Sequence, residues 1–445
     1  MIAGSDSLDP SRGHRALRIT LVLLLLAAAL APLLHLVISL VANYYAVPYY
    51  DSWNFFYRLA KFLNGESSLG SYLFSQQNEA RPAFPRLLLL LVHSVSRSLT
   101  IDVLLNVASA VGSAVVTLLL LRKTNPILRW PALLAVAIFF NLNFFSIAQW
   151  QNWNWRNQLI LLLPNFFFAL GWLVNLSRLP PLLRGLLVSL CCAASTFSFA
   201  NGLFQWFLLV PLAFGLARKE KIRLWSLHAA AALLCIAVYF TGYERPEGHD
   251  PSAALAYPGR VVVYFSAWLG SSLSAGSQPV AEVWGVILFV TFLFLCWQCY
   301  VRWRAEGLQA GWLPWISMGC YALISGGVTA LGRSHIGLEQ ALRPRYCSIS
   351  QWLIVGILGL GATLLQQSWT RKPAQARATG GLLLLLAAGF LYFQARHTLQ
   401  AGEEWHKFAE RMHFQKQAFG LEAAQPGQLW SFDQSDRNAV LDTYK

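Results

Sequence analysis

Charged residues make up only 12% of this chain, so the few side chains able to hold an anion or move a proton stand out against long apolar runs. The first polar stretch, residues 44–86, contains three acids: Asp51, Glu66 and Glu79. Asp51 stands immediately before a helical stripe of Trp53, Phe56, Tyr57, Ala60 and Leu63, with Gly65 as the stop. A carboxylate there can cap the first free N–H groups, and it also stays ionised, as a general base must be before it accepts a proton. Both readings remain open. In the element Asn78-Glu79-Ala80-Arg81-Pro82, an acid and an arginine two residues apart can bind substrate hydroxyls and phosphate, or pair with each other at the interface.

A second polar stretch lies late in the chain and holds Arg333, His335, Glu339, Arg343, Arg345 and Tyr346. Guanidinium forks match phosphate oxygens, so these arginines can hold a phosphate; contact with lipid headgroups or a bridge to Glu339 are the other uses. Between the two, QWQNWNWRNQ carries Trp150, Trp153, Trp155 and Arg156. Its tryptophans fit either an interfacial belt or the floor of a sugar site.

The elements that must position these groups are membrane helices. A mean hydropathy of +0.46 and repeated apolar runs of about 16–25 residues predict a polytopic all-α bundle. The formal charge of +14 does not point to nucleic acid, because Lys and Arg fall mainly in short links between apolar runs. That distribution orients spans with the basic links in the cytoplasm. The seven cysteines lie in or beside apolar runs, so no disulfide framework is expected, and the Cys296–Cys299 spacing reads as small core residues.

The run 16–41 follows SRGHRALR and is too long for a signal-peptide core, so it is expected to be an uncleaved anchor with its N-terminus inside. The apolar run 83–95 decides the topology. About 15 helical residues cover roughly 22 Å against roughly 30 Å of hydrocarbon, so this run is expected to lie along the outer surface. The spans are then expected near 16–41, 101–121, 130–148, 158–176, a hairpin over 186–216, 225–242, 280–300, 312–331, 347–366 and 380–393, about eleven in all. This count puts Arg122, Lys123, Arg178, Lys219, Arg302 and Arg371 inside and both polar stretches outside. A second membrane-hugging helix is expected near 260–273. The expected organisation is a cytoplasmic N-terminus (1–15), a bundle (16–396) whose outer loop 44–100 carries interfacial helices, and an extracytoplasmic tail (397–445). In that tail EEWHKFAERMHFQKQAFG forms one surface helix ending at Gly420.

An anchor span, a large first outer loop with an acid near its start, the N-E-x-R element before an apolar helix, and an outer R-x-R-Y late in the chain resemble the GT-C superfamily. Its members are integral membrane glycosyltransferases, among them the protein mannosyltransferases and the aminoarabinose transferase of lipid A. The resemblance covers the layout of nearly the whole chain and rests on few residues. It implies a polyprenyl-phosphate-linked sugar donor, transfer outside a bacterial inner membrane, and a first-loop carboxylate as base. By position Asp51 is that carboxylate, and Arg343, Arg345 and Tyr346 face the lipid phosphate. Ser52 follows Asp51 where relatives have a second acid, so no cofactor is expected and a divalent metal has no support in the sequence.

The resemblance, taken with these residues, implies inverting sugar transfer to an extracytoplasmic lipid, glycan or protein, with Asp51 catalytic. The substrate-binding set is Asn78, Glu79, Arg81, Trp153, Arg156, Arg333, His335, Arg343, Arg345 and Tyr346. A lipid-linked glycan polymerase or ligase shares the spans and the outer arginines. A transporter or flippase would use Asn141, Asn143, Asn165, Asn201 and Gly202 at mid-membrane. A non-catalytic assembly partner would tolerate loss of both Asp51 and Arg345.

Overall fold

The computed structural model describes residues 10–45, 48, 51–95, 100–246, 251–371 and 373–424. The long α1 (Pro10–Ala42) is followed by three short helices of the first loop, α2 (Asp51–Leu63), α3 (Leu69–Phe74) and α4 (Ala83–His93). Next come α5 (Thr100–Thr124), α6 (Trp130–Phe144), the short α7 (Trp150–Asn154), α8 (Leu159–Asn175), α9 (Pro181–Thr196) and the single turn α10 (Gln205–Leu208). The second half contains α11 (Arg218–Phe240), α12 (Pro251–Ala256), α13 (Pro258–Leu269), α14 (Gln278–Glu306), α15 (Leu313–Arg333), α16 (Cys347–Arg371) and α17 (Pro373–Ala424). The chain is an all-α bundle, and among the described residues 8 helical stretches are long and apolar enough to cross a membrane.

The helices shuttle between two ends. Links at one end hold Thr124, whose hydroxyl accepts from Trp315 Nε1, and Gln367, which bonds Gln309 and Trp312. Arg122, Lys123, Arg129, Arg178, Arg218, Lys219, Arg304 and Arg371 lie in the links or in the first or last helical turns at this basic end. The other end gathers the polar stretches. There Asn154 donates to the Asn43 carbonyl after α1, Asn106 near the start of α5 donates to the Trp155 carbonyl, and Asn152 donates to the Arg345 carbonyl before α16.

One passage between the ends is not a continuous helix. α8 and α9, of 17 and 16 residues, are about 26 and 24 Å long, and the second arm of the expected hairpin is replaced by 3-10 turns at Ala200–Phe204, α10 and extended chain. Gly202 explains the tight entry, since a Cβ there would collide with the Ser195 carbonyl. The extended chain then runs beside α8, and side chains meet its backbone groups. Gln205 donates to the Pro164 carbonyl, and Asn175 donates to the Val210 carbonyl while accepting from the Leu212 N–H. Arg184 caps the Leu212 carbonyl, and Trp225 donates to that of Pro211. Irregular backbone at this depth needs such partners where water is absent.

The core runs through the middle of the bundle and is rich in fully buried aromatics, among them Trp153, Trp268, Trp315, Trp352, Tyr264 and Tyr321. Glycines bring helices close: Cβ atoms at Gly270 and Gly285 would strike the backbone carbonyls of Ala281 and Ser266, so α13 and α14 pack almost backbone to backbone. The helix expected on the surface near 260–273 is therefore half inside, with Tyr264, Ala267, Trp268 and Leu269 buried.

The short helices of the first loop share a smaller core of Phe55, Phe56, Leu59, Tyr72 and Leu89 with Leu159 and Leu163 of α8. The buried face of α2 is Ser52, Phe55, Phe56, Leu59 and Ala60, rotated from the stripe read in the sequence, and Gly65 closes the helix at φ +76°. α4 is 11 residues, about 16 Å, too short to cross a bilayer. Its Arg86 is fully buried, and Nη1 donates to the carbonyls of Tyr72, Leu73 and Ser75, closing the C-terminal end of α3. Burial, with the Arg58 charge second, pulls the Arg86 guanidinium down to about 10, which leaves it charged at neutral pH.

The tail departs from the expected separate surface helix. α17 continues unbroken for 52 residues through the apolar run and the polar segment, past Gly420 to Ala424. Its polar half has a buried face of Ala401, Trp405, Phe408, Ala409 and Met412. Phe408 packs on Tyr45 and Trp150, and His397 is bonded to the Ser272 carbonyl, so this half is docked on the polar end of the bundle.

Candidate functional site

At the polar end a cavity of about 900 Å³ opens between the first loop, the Trp155 segment, the link after α11 and the link between α15 and α16. Its lining combines Arg58, Arg81, Arg245, Arg333 and Arg345 with Glu79 and Glu244, an excess of cations over anions. The amide side chains of Gln76, Gln77, Asn78, Asn157 and Gln158 and the rings of Trp155 and Tyr346 complete its polar wall.

Glu79 is presented by a four-residue turn. The Gln77 N–H donates to the Ala80 carbonyl at 2.8 Å and the Ala80 N–H donates back at 2.9 Å, with Asn78 at φ +50°. Asparagine tolerates that left-handed conformation better than most residues. The turn is pinned to the end of α11: Tyr239 Oη donates to the Glu79 carbonyl at 2.5 Å, and Gln76 bonds both the N–H and the carbonyl of Glu244. Burial first, and the Glu79 charge after it, push the Tyr243 phenol beside this turn above its ordinary value.

Arg81 is the main pin. Its guanidinium donates to the carbonyls of Tyr239 at 2.6 Å, Phe74 at 2.7 Å and Thr241 at 2.6 Å. The arginine expected to bind substrate beside Glu79 thus holds the turn in place, and its donors face protein carbonyls.

The partner of Glu79 comes from 254 residues away. Arg333, at the end of α15, places Nη2 3.0 Å from Glu79 Oε1, and both side chains are mostly buried. The same guanidinium donates from Nη1 to Tyr346 Oη at 2.5 Å. The second carboxylate oxygen, Glu79 Oε2, is buried with no hydrogen-bond partner among the described residues. A carboxyl oxygen in that state lacks an acceptor's usual donors, and a hydroxyl entering the cavity can supply one. Gln77 Nε2 and Gln158 Oε1 on the same wall are also buried without partners.

Arg345 is held differently. Its guanidinium lies 5.3 Å from the ring centroids of both Trp155 and Tyr346, and it makes no salt bridge among the described residues. Aromatic faces orient a planar cation without using up its N–H donors. Arg345 is therefore fixed in direction and open to an anion.

The other expected site residues fall elsewhere. Arg343 is exposed and does not line the cavity, and His335 is half-buried beside it, with Nδ1 unpartnered. Trp153 is a core residue, fully buried and donating from Nε1 to the Ser146 carbonyl at 3.0 Å; its neighbour Trp155 is the one on the cavity wall. Asp51 begins α2, the helix that carries Arg58 to the cavity, but its side chain lies outside what is described, as does that of Arg156. Sequence reasoning passed over Arg58, Gln76, Gln77, Gln158 and Arg245; the amide-rich SQQN and RNQ segments were the available signal. Two of the asparagines considered for a transport path tie helices together, Asn141 donating to the Ala29 carbonyl and Asn165 to that of Ser348, while Asn143 donates to the Phe139 carbonyl one turn back within α6.

Comparison with protein-family models, with curated proteins and with solved structures gives no match to this chain.

Proposed function

We propose that the chain is a membrane glycosyltransferase that moves a sugar from a polyprenyl-phosphate donor to a hydroxyl acceptor, with inversion, in the cavity at the polar end. The observation that carries this reading is the juxtaposition of an unpartnered carboxylate oxygen on Glu79 with an unpaired, ring-stacked Arg345 in one arginine-rich cavity. A sugar phosphate already has a good leaving group, so one base and a cationic phosphate site suffice, where glycosidases need two carboxyl groups. The acceptor oxygen attacks the anomeric carbon as the bond from that carbon to the phosphate oxygen breaks. The phosphate leaves with the bonding electrons toward Arg345, and the acceptor proton passes to a carboxylate. On this reading Glu79 Oε2 takes that proton; Asp51 is the alternative acceptor.

The basic links at the opposite end give the proposed orientation. Short loops rich in Lys and Arg stay in the cytoplasm, so the cavity faces the outside. The amides of Gln77 and Gln158 supply contacts for sugar hydroxyls, and the Trp155 ring supplies an apolar face. Partners on this reading are the lipid-linked sugar, membrane lipids and an extracytoplasmic lipid, glycan or protein.

The test is transfer in proteoliposomes with a radiolabelled polyprenyl-phosphate sugar, comparing the parent with Glu79→Gln and Asp51→Asn. Loss of a general base lowers turnover by about 10²- to 10⁴-fold. Such a loss in one of the two variants identifies the base. Absence of transfer by the parent across single-sugar donors, with activity on preassembled lipid-linked chains, would replace this reading by a polymerase or ligase.

A further inference from the structure

The basic end has its own cavity, about 490 Å³, between α8, the non-helical passage, α11 and the α14–α15 link. Its walls are apolar, with Trp172, Phe207, Pro211, Phe214 and Ile316 prominent, and among the described residues Lys221 is the one charged side chain lining it. Phe207 and Phe214 remain exposed on its rim. Two features separate it from an ordinary lipid-facing furrow. The Lys221 ammonium makes no salt bridge or hydrogen bond among the described residues, and Lys221 shares the first turns of α11 with Arg218, Lys219 and Arg223. Val210 and Ala213, also on the wall, have backbone N–H groups that donate to no described protein acceptor, whereas the carbonyls of Trp206, Val210, Pro211 and Leu212 are all bonded. Unmet N–H groups beside hydrocarbon call for an acceptor that the protein does not provide.

We infer that this groove binds an anionic phospholipid of the leaflet at the basic end. An acyl chain lies along Phe207, Trp172 and Ile316, and the phosphate and ester oxygens face Lys221 and the free amides of residues 210 and 213. The bound lipid completes the non-helical passage, supplying the acceptors that a helix would have found within itself. Basic pockets between helices at a membrane face are suited to anionic headgroups. The site is independent of the transferase reading, since it lies at the opposite end of the bundle.

The experiment uses the full-length protein in nanodiscs of phosphatidylcholine, with and without phosphatidylglycerol, reading thermal unfolding together with native mass spectrometry of retained lipid. The inference predicts one retained phosphatidylglycerol and a higher unfolding midpoint in the anionic discs. Lys221→Gln weakens retention at least fivefold, Lys221→Arg keeps it, and Arg223→Gln, on the same helix but off the groove, leaves it within twofold. Ser317→Trp fills the groove without changing charge and also expels the lipid. Equal effects of Lys221→Gln and Arg223→Gln would show only a diffuse surface potential and overturn the site. Equal retention of phosphatidylcholine, or no retained lipid, would do the same.

Discussion

Truncating Arg345 probes the proposed phosphate site without touching the ion pair that holds the cavity together. In the structure its guanidinium is fixed by two aromatic faces and joined to no carboxylate, so removing it leaves no buried acid unpaired. A charge-assisted hydrogen bond contributes about 1.5–3 kcal/mol. With about 1.36 kcal/mol per tenfold, Arg345→Ala should weaken donor binding by roughly 13- to 160-fold. Arg345→Lys keeps the charge but loses the planar fork and most of the stacking, and should fall between Ala and the parent. The assay is equilibrium binding of a fluorescent polyprenyl-phosphate analogue to the purified protein, with the unbound unfolding midpoint as the control for folding. If Arg345→Ala binds the analogue within twofold of the parent while its midpoint is unchanged, Arg345 does not hold the phosphate and the reasoning from its stacking fails.

Three further outcomes follow from the same geometry. Arg81→Gln strands carbonyls that now accept from one guanidinium; at about 1–3 kcal/mol for each acceptor left unsatisfied it should lower the unfolding midpoint, with donor affinity in the surviving folded fraction nearly unchanged. Gly202→Ala drives a methyl into the Ser195 carbonyl where backbone must move, and should lower the yield of folded protein or cost about 1–3 kcal/mol in thermal unfolding. In intact cells, a membrane-impermeant thiol reagent should label Ile336→Cys on the cavity wall from outside and reach Arg122→Cys only after permeabilisation; labelling of both from one side would break the proposed orientation.

Much of this architecture is legible from hydropathy and charge because both act over whole helices. The lengths of the apolar runs and the basic links placed 44–86 and 333–346 at one end, and the short run after Pro82 kept them there. The same reasoning missed the non-helical passage over residues 200–217, since apolar content says nothing about how backbone groups are bonded, and here Asn175, Arg184 and Trp225 do that from other helices. It assigned Arg81 to substrate because an acid and an arginine two residues apart can bind hydroxyls and phosphate; the carbonyls it binds belong to residues that only folding brings close. The Glu79–Arg333 contact was within reach only as membership of one compartment. Trp153 and Trp155 differ by two positions and have opposite fates, one packed in the core and one on the cavity wall, which a pattern of aromatics in a loop does not separate. The polar half of α17 looked like a surface helix because its charges are many, yet Trp405, Phe408 and Met412 form a stripe that docks.

The most direct test of the proposed transfer site is a structure of the protein with a non-hydrolysable polyprenyl-phosphate sugar. The account predicts the phosphate within hydrogen-bonding distance of the Arg345 guanidinium, the sugar against Trp155 and Gln158, and Glu79 Oε2 facing the anomeric carbon across a space large enough for a hydroxyl. A phosphate bound at the basic end, or a polar-end cavity that stays empty at saturating donor, would contradict it.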